Sequence, residues 1–130
     1  MVVLWTVGAI SGTVLRHHRQ RTDHPRGCGP DILPDVDFVL QMSVNPGFGG
    51  QTLIRPVLDK ARQLRALVDG KRLNCRIEID GGVTEENLEE VAATGVDMIV
   101  SGSAIFGTED IRATTERMVR MLAGVAEGLV

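Results

Sequence analysis

Aromatic residues are nearly missing from this 130-residue chain, which has one Trp, three Phe and no Tyr. Platforms for stacking nucleic-acid bases are therefore few. A net charge of −3 supplies no attraction for a phosphodiester backbone or an anionic membrane surface, so neither nucleic acid nor membrane is expected as a partner. Cysteine is equally scarce. Cys28 and Cys75 lie far apart and form no C-x-x-C pair, which argues against a zinc knuckle or a disulfide framework and for a reducing, cytoplasmic setting. Long apolar runs are missing too: the opening from Val2 to Leu15 is interrupted by Thr6, Gly8, Ser11, Gly12 and Thr13, and it lacks the basic start of a secretory signal. What remains is the composition of one soluble globular domain.

Histidine is confined to one place. His17, His18 and His24 fall with Cys28 in Arg16–Pro30, a stretch with neither a strand nor a helix period. A metal site is one reading of that cluster, but adjacent histidines point different ways and no carboxylate is placed to orient them. The other reading is a disordered basic segment.

From Asp31 onward the pattern becomes orderly. Pro34-Asp35 closes a turn, and Val36 to Val44 is an apolar run of strand length, as expected for a parallel strand covered on both faces. Ser43-Val44-Asn45-Pro46-Gly47-Phe48-Gly49-Gly50-Gln51 follows as a glycine-rich loop. Ile54, Val57, Leu58, Ala61, Leu64 and Val68 then recur at three and four residues, which predicts a helix ending near Asp69-Gly70. Arg76 to Asp80 reads as a second strand, Thr84 as the cap of a second helix carrying Leu88, Val91 and Ala92, and Met98 to Val100 as a third strand. Thr108 is the expected cap of a last helix bearing Ile111, Thr115, Met118, Val119, Leu122 and Val125. The order βα, βα, βα implies an α/β fold with a parallel sheet, right-handed crossovers and a ligand site at the carboxyl ends of the strands.

Three glycine-bearing turns share that edge: Gly47-Phe48-Gly49-Gly50, Asp80-Gly81-Gly82 and Gly102-Ser103. Glycine accepts positive φ and lets bare backbone N–H groups approach an anion, and helix N-termini add a favourable dipole. Tight turns using Pro and Gly for geometry alone are the competing reading of each loop taken singly. Asp80 is a carboxylate at a strand tip beside the proposed anion site. Either it accepts hydrogen bonds from its own turn, or it has a chemical or metal-binding role.

The spellings Val39-Leu40-Gln41-Met42-Ser43-Val44-Asn45-Pro46-Gly47-Phe48-Gly49-Gly50-Gln51, Glu78-Ile79-Asp80-Gly81-Gly82-Val83 and Val100-Ser101-Gly102-Ser103-Ala104-Ile105-Phe106 resemble the last three strand–loop signatures of the ribulose-phosphate 3-epimerase family, over about residues 31 to 130. The resemblance implies the C-terminal three βα units of a (β/α)8 TIM barrel, an incomplete barrel, with residues 31–130 as its ketose-phosphate-binding part. It implies a cytoplasmic isomerase of the pentose phosphate pathway that interconverts D-ribulose 5-phosphate and D-xylulose 5-phosphate. In that family two aspartates act from opposite faces of C3 through an enediolate, and a divalent metal (Zn, Fe, Mn or Co) holds the substrate oxygens. By resemblance Asp80 is the later of the two aspartates and a metal ligand. Gly47, Phe48, Gly49, Gly50, Gly81, Gly82, Gly102 and Ser103 are the substrate and phosphate contacts, and Met42 lines the pocket.

The family's other catalytic aspartate and its two metal-binding histidines belong to early strands and have no counterpart here, so this chain supplies one metal ligand. A whole barrel takes about 250 residues. Residues 1–30 are read as a non-homologous segment, disordered or translated out of frame after a frameshift or misplaced start, with a natural truncation as the alternative. A three-strand remnant would leave its first and third strands as unpaired edges and would self-associate. The expectation is an epimerase fragment inactive alone. The alternatives are a non-catalytic phosphate-binding or assembly module and an epimerase of another ketose phosphate, such as a hexulose phosphate.

Overall fold

The computed structural model describes residues 2–5, 13–17 and 30–128. Five strands form one sheet in the order β1 (Val2–Trp5), β2 (Thr13–His17), β3 (Phe38–Met42), β4 (Arg76–Asp80) and β5 (Met98–Val100). β3, β4 and β5 are parallel neighbours, while β1 pairs with β2 and β2 with β3 in antiparallel fashion. The helices are α1 (Pro56–Gly70), α2 (Leu88–Ala92), α3 (Ser103–Phe106) and α4 (Ile111–Gly128), and a 3-10 helix, Pro30–Asp35, leads into β3. The α/β character and the three parallel strands follow the sequence pattern.

The first two strands lie in the apolar opening of the chain, where the residues alone suggested no element. Val-Val-Leu-Trp and Thr-Val-Leu are strand-favouring once a neighbouring edge is present. β3 is therefore not the unpaired edge expected of it: Thr13 to Arg16 pair with Gln41 to Phe38. His17 ends β2, whereas His18, His24 and Cys28 lie outside the described residues. β5 remains at the end of the sheet.

Alternation along the strands separates two faces. Val39, Ile77 and Ile79 are buried and pack against helices. Val39 and Ile77 join Leu33, Val36, Leu64, Val68 and Cys75 in one cluster, and Ile79 joins Leu53, Leu58, Val83, Leu88, Val91 and Met118 in another. The alternate residues Leu40, Met42, Glu78, Asp80 and Met98 are half-buried on the opposite face, and Val100 there is 37% exposed. Gln41 departs from the apolar rule on the helix face: it is fully buried, and neither its amide nitrogen nor its oxygen is hydrogen-bonded among the described residues. Burial of an unpaired amide is a net cost at that position. Burial also pushes the Cys75 thiol up from its ordinary range.

Helix ends differ from expectation in instructive ways. α1 starts with Pro56 in its first turn, where a missing N–H costs nothing, and of the expected apolar stripe Val57, Leu58, Ala61, Leu64 and Val68 are buried, while Ile54 lies before the helix and is half-buried. It ends at Gly70, as expected, and just beyond it Arg72 is a left-handed residue with φ 52°, where the Leu73 N–H reaches the Val68 carbonyl at 2.9 Å and the Arg72 N–H reaches the Asp69 carbonyl at 3.0 Å. Thr84 does not cap α2. It sits in a turn one step earlier, its N–H donating to Asn87 Oδ1 at 2.9 Å and its hydroxyl to Glu86 at 2.6 Å. Thr108 does not cap α4 either, because Asp110 Oδ1 accepts the Ala113 N–H at 2.8 Å, and a carboxylate suits the positive helix end better than a hydroxyl. The Thr108 hydroxyl instead donates to the Ile105 carbonyl at 2.8 Å.

Charged side chains join the layers at the rim. Asp97, just before β5, accepts the Ile77 N–H at 2.7 Å and the Arg65 guanidinium of α1 at 3.1 Å. Arg117 of α4 grips Glu85 with two hydrogen bonds, at 2.8 Å and 3.1 Å. Those bonds lower the Glu85 carboxyl below its ordinary range and raise the Arg117 guanidinium.

Two outcomes are expected. Ile79→Ala removes a fully buried side chain from the sheet–helix interface and should lower the unfolding free energy in urea by about 2–5 kcal/mol. For Glu85, a lowered folded-state pKa means that the pair stabilises the fold above the ordinary carboxylate range and that this contribution is lost as pH falls through the lowered value. An NMR titration should therefore place the Glu85 midpoint below that of an unpaired glutamate, and Arg117→Gln should return it upward.

Candidate functional site

The parallel register decides where the glycine segments begin. Met42 pairs with Asp80, and Asp80 with Val100, so the tips of β3, β4 and β5 end at one level and their following loops leave the same edge. Strand alternation places Met42, Asp80 and Val100 on the face away from the helices. Met42 thus stands beside Asp80.

The loop after β3 runs without regular structure from Ser43 to α1. Gln51 holds it closed from within, its side-chain amide donating to the carbonyls of Asn45 at 2.6 Å and Phe48 at 2.8 Å. Gly47 and Gly50 have φ of 141° and 72°, conformations that side chains rarely adopt. A Cβ added at Gly47, Gly49, Gly50 or Gly102 would meet nothing within 4 Å. These glycines leave open space outside the backbone, and Phe48 between them is 72% exposed rather than packed.

The turn after β4 is the opposite case. Gly81 and Gly82 have φ of 116° and 69°, and a Cβ would overlap the Val44 side chain at Gly81 and the Leu53 backbone at Gly82. The backbone is packed directly against the Val44 side chain at Gly81 and against backbone at Gly82, which only glycine permits. Four consecutive carbonyls are each held by a donor. Asp80 O accepts the Ser43 N–H at 2.8 Å, and Gly81 O accepts the Ser43 hydroxyl at 2.6 Å. Gly82 O accepts Asn87 Nδ2 at 2.9 Å, and Val83 O accepts the Ser101 hydroxyl at 2.9 Å. Asp80 itself is half-buried, and among the described residues its carboxylate accepts no hydrogen bond from its own turn. The turn-acceptor reading of this residue is thereby set aside.

After β5, Gly102 and Ser103 are exposed and open a one-turn helix, α3, that periodicity did not reveal because four residues carry no period. The first amides of a helix have no intrahelical acceptor, so the N–H groups of Ser103 and Ala104 are available at this edge. Phe106 closes the turn and is 73% exposed.

Gly81, Gly82, Gly102 and Ser103 are brought together by the strand ends, and the Gly47–Gly50 loop leaves the same edge. A second carboxylate facing Asp80 is not among the described residues. Glu78 is two positions earlier on the same face of the same strand. Among the described residues no three His, Cys, Asp or Glu side chains come together to hold a metal ion. No helix among them is long and apolar enough to cross a membrane. Sequence reasoning passed over Ser43, Asn87 and Ser101. Ser43 and Ser101 carried a signal, each a small hydroxyl at a strand tip directly before a glycine loop.

Comparison with known proteins agrees with this arrangement. A model of the Ribulose-phosphate 3 epimerase family matches residues 6–106. The chain is similar to the ribulose-phosphate 3-epimerase of Serratia marcescens, 53% identical over 81 residues, which are 62% of this chain and 39% of the relative. It is 45% identical over 95 residues to that of Escherichia coli (strain K12), covering 73% of this chain and 42% of the relative. It is 47% identical over 96 residues to that of Mycobacterium tuberculosis (strain ATCC 25618 / H37Rv), covering 74% and 42%. The chain thus spans about two fifths of the length of the curated relatives it matches. A family match over most of the chain, on top of three glycine-bearing strand ends at one sheet edge, leads to one statement: the chain belongs to the ribulose-phosphate 3-epimerase family, a family of isomerases.

Proposed function

We propose that this chain carries the phosphate-gripping part of a ketose-phosphate epimerase and that, on its own, it binds D-ribulose 5-phosphate or D-xylulose 5-phosphate without interconverting them. The observation that carries the reading is the row of three strand tips, each followed by a glycine turn, around one carboxylate that has no partner among the described residues. Amides of Gly81, Gly82, Gly102 and Ser103 hold the phosphate, with help from the helix dipole at α3 and from the Gly47–Phe48–Gly49–Gly50 loop. Asp80 then faces the carbon skeleton of the sugar beside Met42.

Epimerisation at C3 needs a proton removed from one face and one returned to the other. Asp80 can serve one face. Glu78 shares its strand and its side, so it does not supply the second, and the family's metal would need donors beyond Asp80. The three βα units correspond in this reading to the last three of a (β/α)8 barrel, with binding retained and the acid/base pair incomplete. Cytoplasmic location and self-association through the half-buried face at β5 belong to the same proposal.

Two experiments test it. Titration of the chain with ribulose 5-phosphate, followed by 31P NMR, should show saturable binding. Gly82→Ala should weaken that binding at least about tenfold, since a methyl there collides with the Leu53 backbone and strains a φ of 69°. Unchanged affinity in a folded Gly82→Ala protein would sink the phosphate assignment, and xylulose 5-phosphate formed by the purified chain alone would refute the loss of turnover. Light scattering should find species larger than a monomer, and Val100→Lys on the open face should shift them toward monomer.

A further inference from the structure

We infer that Ser43 is a positioning residue that sets the direction of the amides meeting the phosphate, an inference that rests on the phosphate reading above. A trans peptide is planar, and its carbonyl and the N–H of the next residue point opposite ways. Holding a carbonyl therefore aims the following amide. Ser43 holds two consecutive peptides, through its N–H to the Asp80 carbonyl at 2.8 Å and its hydroxyl to the Gly81 carbonyl at 2.6 Å. The first bond turns the Gly81 N–H away from Ser43, and the second does the same for the Gly82 N–H.

Glycines need such an outside hold. With no Cβ, Gly81 and Gly82 have wide torsional freedom, and nothing of their own selects φ of 116° and 69°. Ser43 can supply the hold because it is itself immobilised. It is fully buried, and its carbonyl accepts the Ile54 N–H at 2.8 Å, across the base of the loop that contains Gly47 to Gly50. One residue thus ties the glycine loop after β3 to the glycine pair after β4, and through the Asp80 carbonyl it also fixes the backbone from which the carboxylate projects. Asn87 and Ser101 extend the same backing to the next two carbonyls, at 2.9 Å each.

The hydroxyl is the testable part, because the N–H of residue 43 survives any substitution but proline. Inorganic phosphate and ribulose 5-phosphate are titrated separately into the full chain, with the Gly81 and Gly82 amide signals as reporters, for wild type, Ser43→Ala and Ser43→Thr. Ser43→Ala is expected to bind both ligands about tenfold more weakly and to exchange the Gly81 and Gly82 amides faster, with secondary structure unchanged by circular dichroism. Ser43→Thr, which restores a hydroxyl, is expected to recover affinity and protection together. Wild-type affinity and exchange in Ser43→Ala, or a folded Ser43→Thr that recovers neither, would overturn the inference. Should Ser43→Ala fail to fold, Ser43→Cys, of similar volume and weaker donor strength, is expected to show a smaller loss of the same kind, and wild-type behaviour from it would also overturn the role. If wild type binds neither ligand, the phosphate reading fails, and the exchange comparison alone still decides whether Ser43 holds the glycine peptides.

Discussion

The parallel hydrogen-bonded pairing of β3 with β4, in the register that sets Met42 beside Asp80, is the constraint from which the site follows. A shift of one residue would move every side chain of β3 to the opposite face. It would bury Met42 among the helices and separate Ser43 from the carbonyls of Asp80 and Gly81. The register is held by burial on one side, where Val39, Ile77 and Ile79 meet the helices, and by Ser43 at the strand tips. Asp97 does comparable work at the other end, joining the start of β5 to the Ile77 N–H and to Arg65 of α1.

The glycines divide into two physical classes that their shared letter conceals. Gly81 and Gly82 are needed by the protein itself, because the Val44 side chain and the Leu53 backbone occupy the space a Cβ would take. At Gly47, Gly49, Gly50 and Gly102 a Cβ would meet nothing within 4 Å, so these positions are not required by packing. The first class makes the junction between loops, and in the proposed function the second would make the approach for the phosphate. A phosphate grip built from amides needs both, since amides that can swing lose the advantage of being fixed before the ligand arrives.

The sheet carries a helix-packed face and a face of half-buried side chains on which Glu78 and Asp80 alternate. The chain spans about two fifths of its curated relatives' length, and among the described residues Asp80 has neither an opposing carboxylate nor two further metal donors. Family membership and chemical competence are therefore separate matters in this protein. The first rests on a match over residues 6–106. The second, in the proposed reading, would need groups that face Asp80 from elsewhere.

Local chemistry was enough to read the three parallel strands, α1, α4, the sheet edge that bears the glycines, and the family those spellings belong to, because apolar period, Pro and Gly act within a few residues. It misplaced the starts of α2 and α4, where a choice between neighbours such as Thr108 and Asp110 turns on which group reaches the backbone. It also missed α3, too short to show a period, and the pairing of β2 with β3, which needs an edge from a distant part of the chain. Whether Asp80 satisfies its own turn, which glycines are packed and which are open, and how Ser43, Asn87 and Ser101 hold four successive carbonyls were decided by tertiary structure. Each depends on atoms brought together from segments 5 to 38 residues apart, and no local pattern encodes such a meeting.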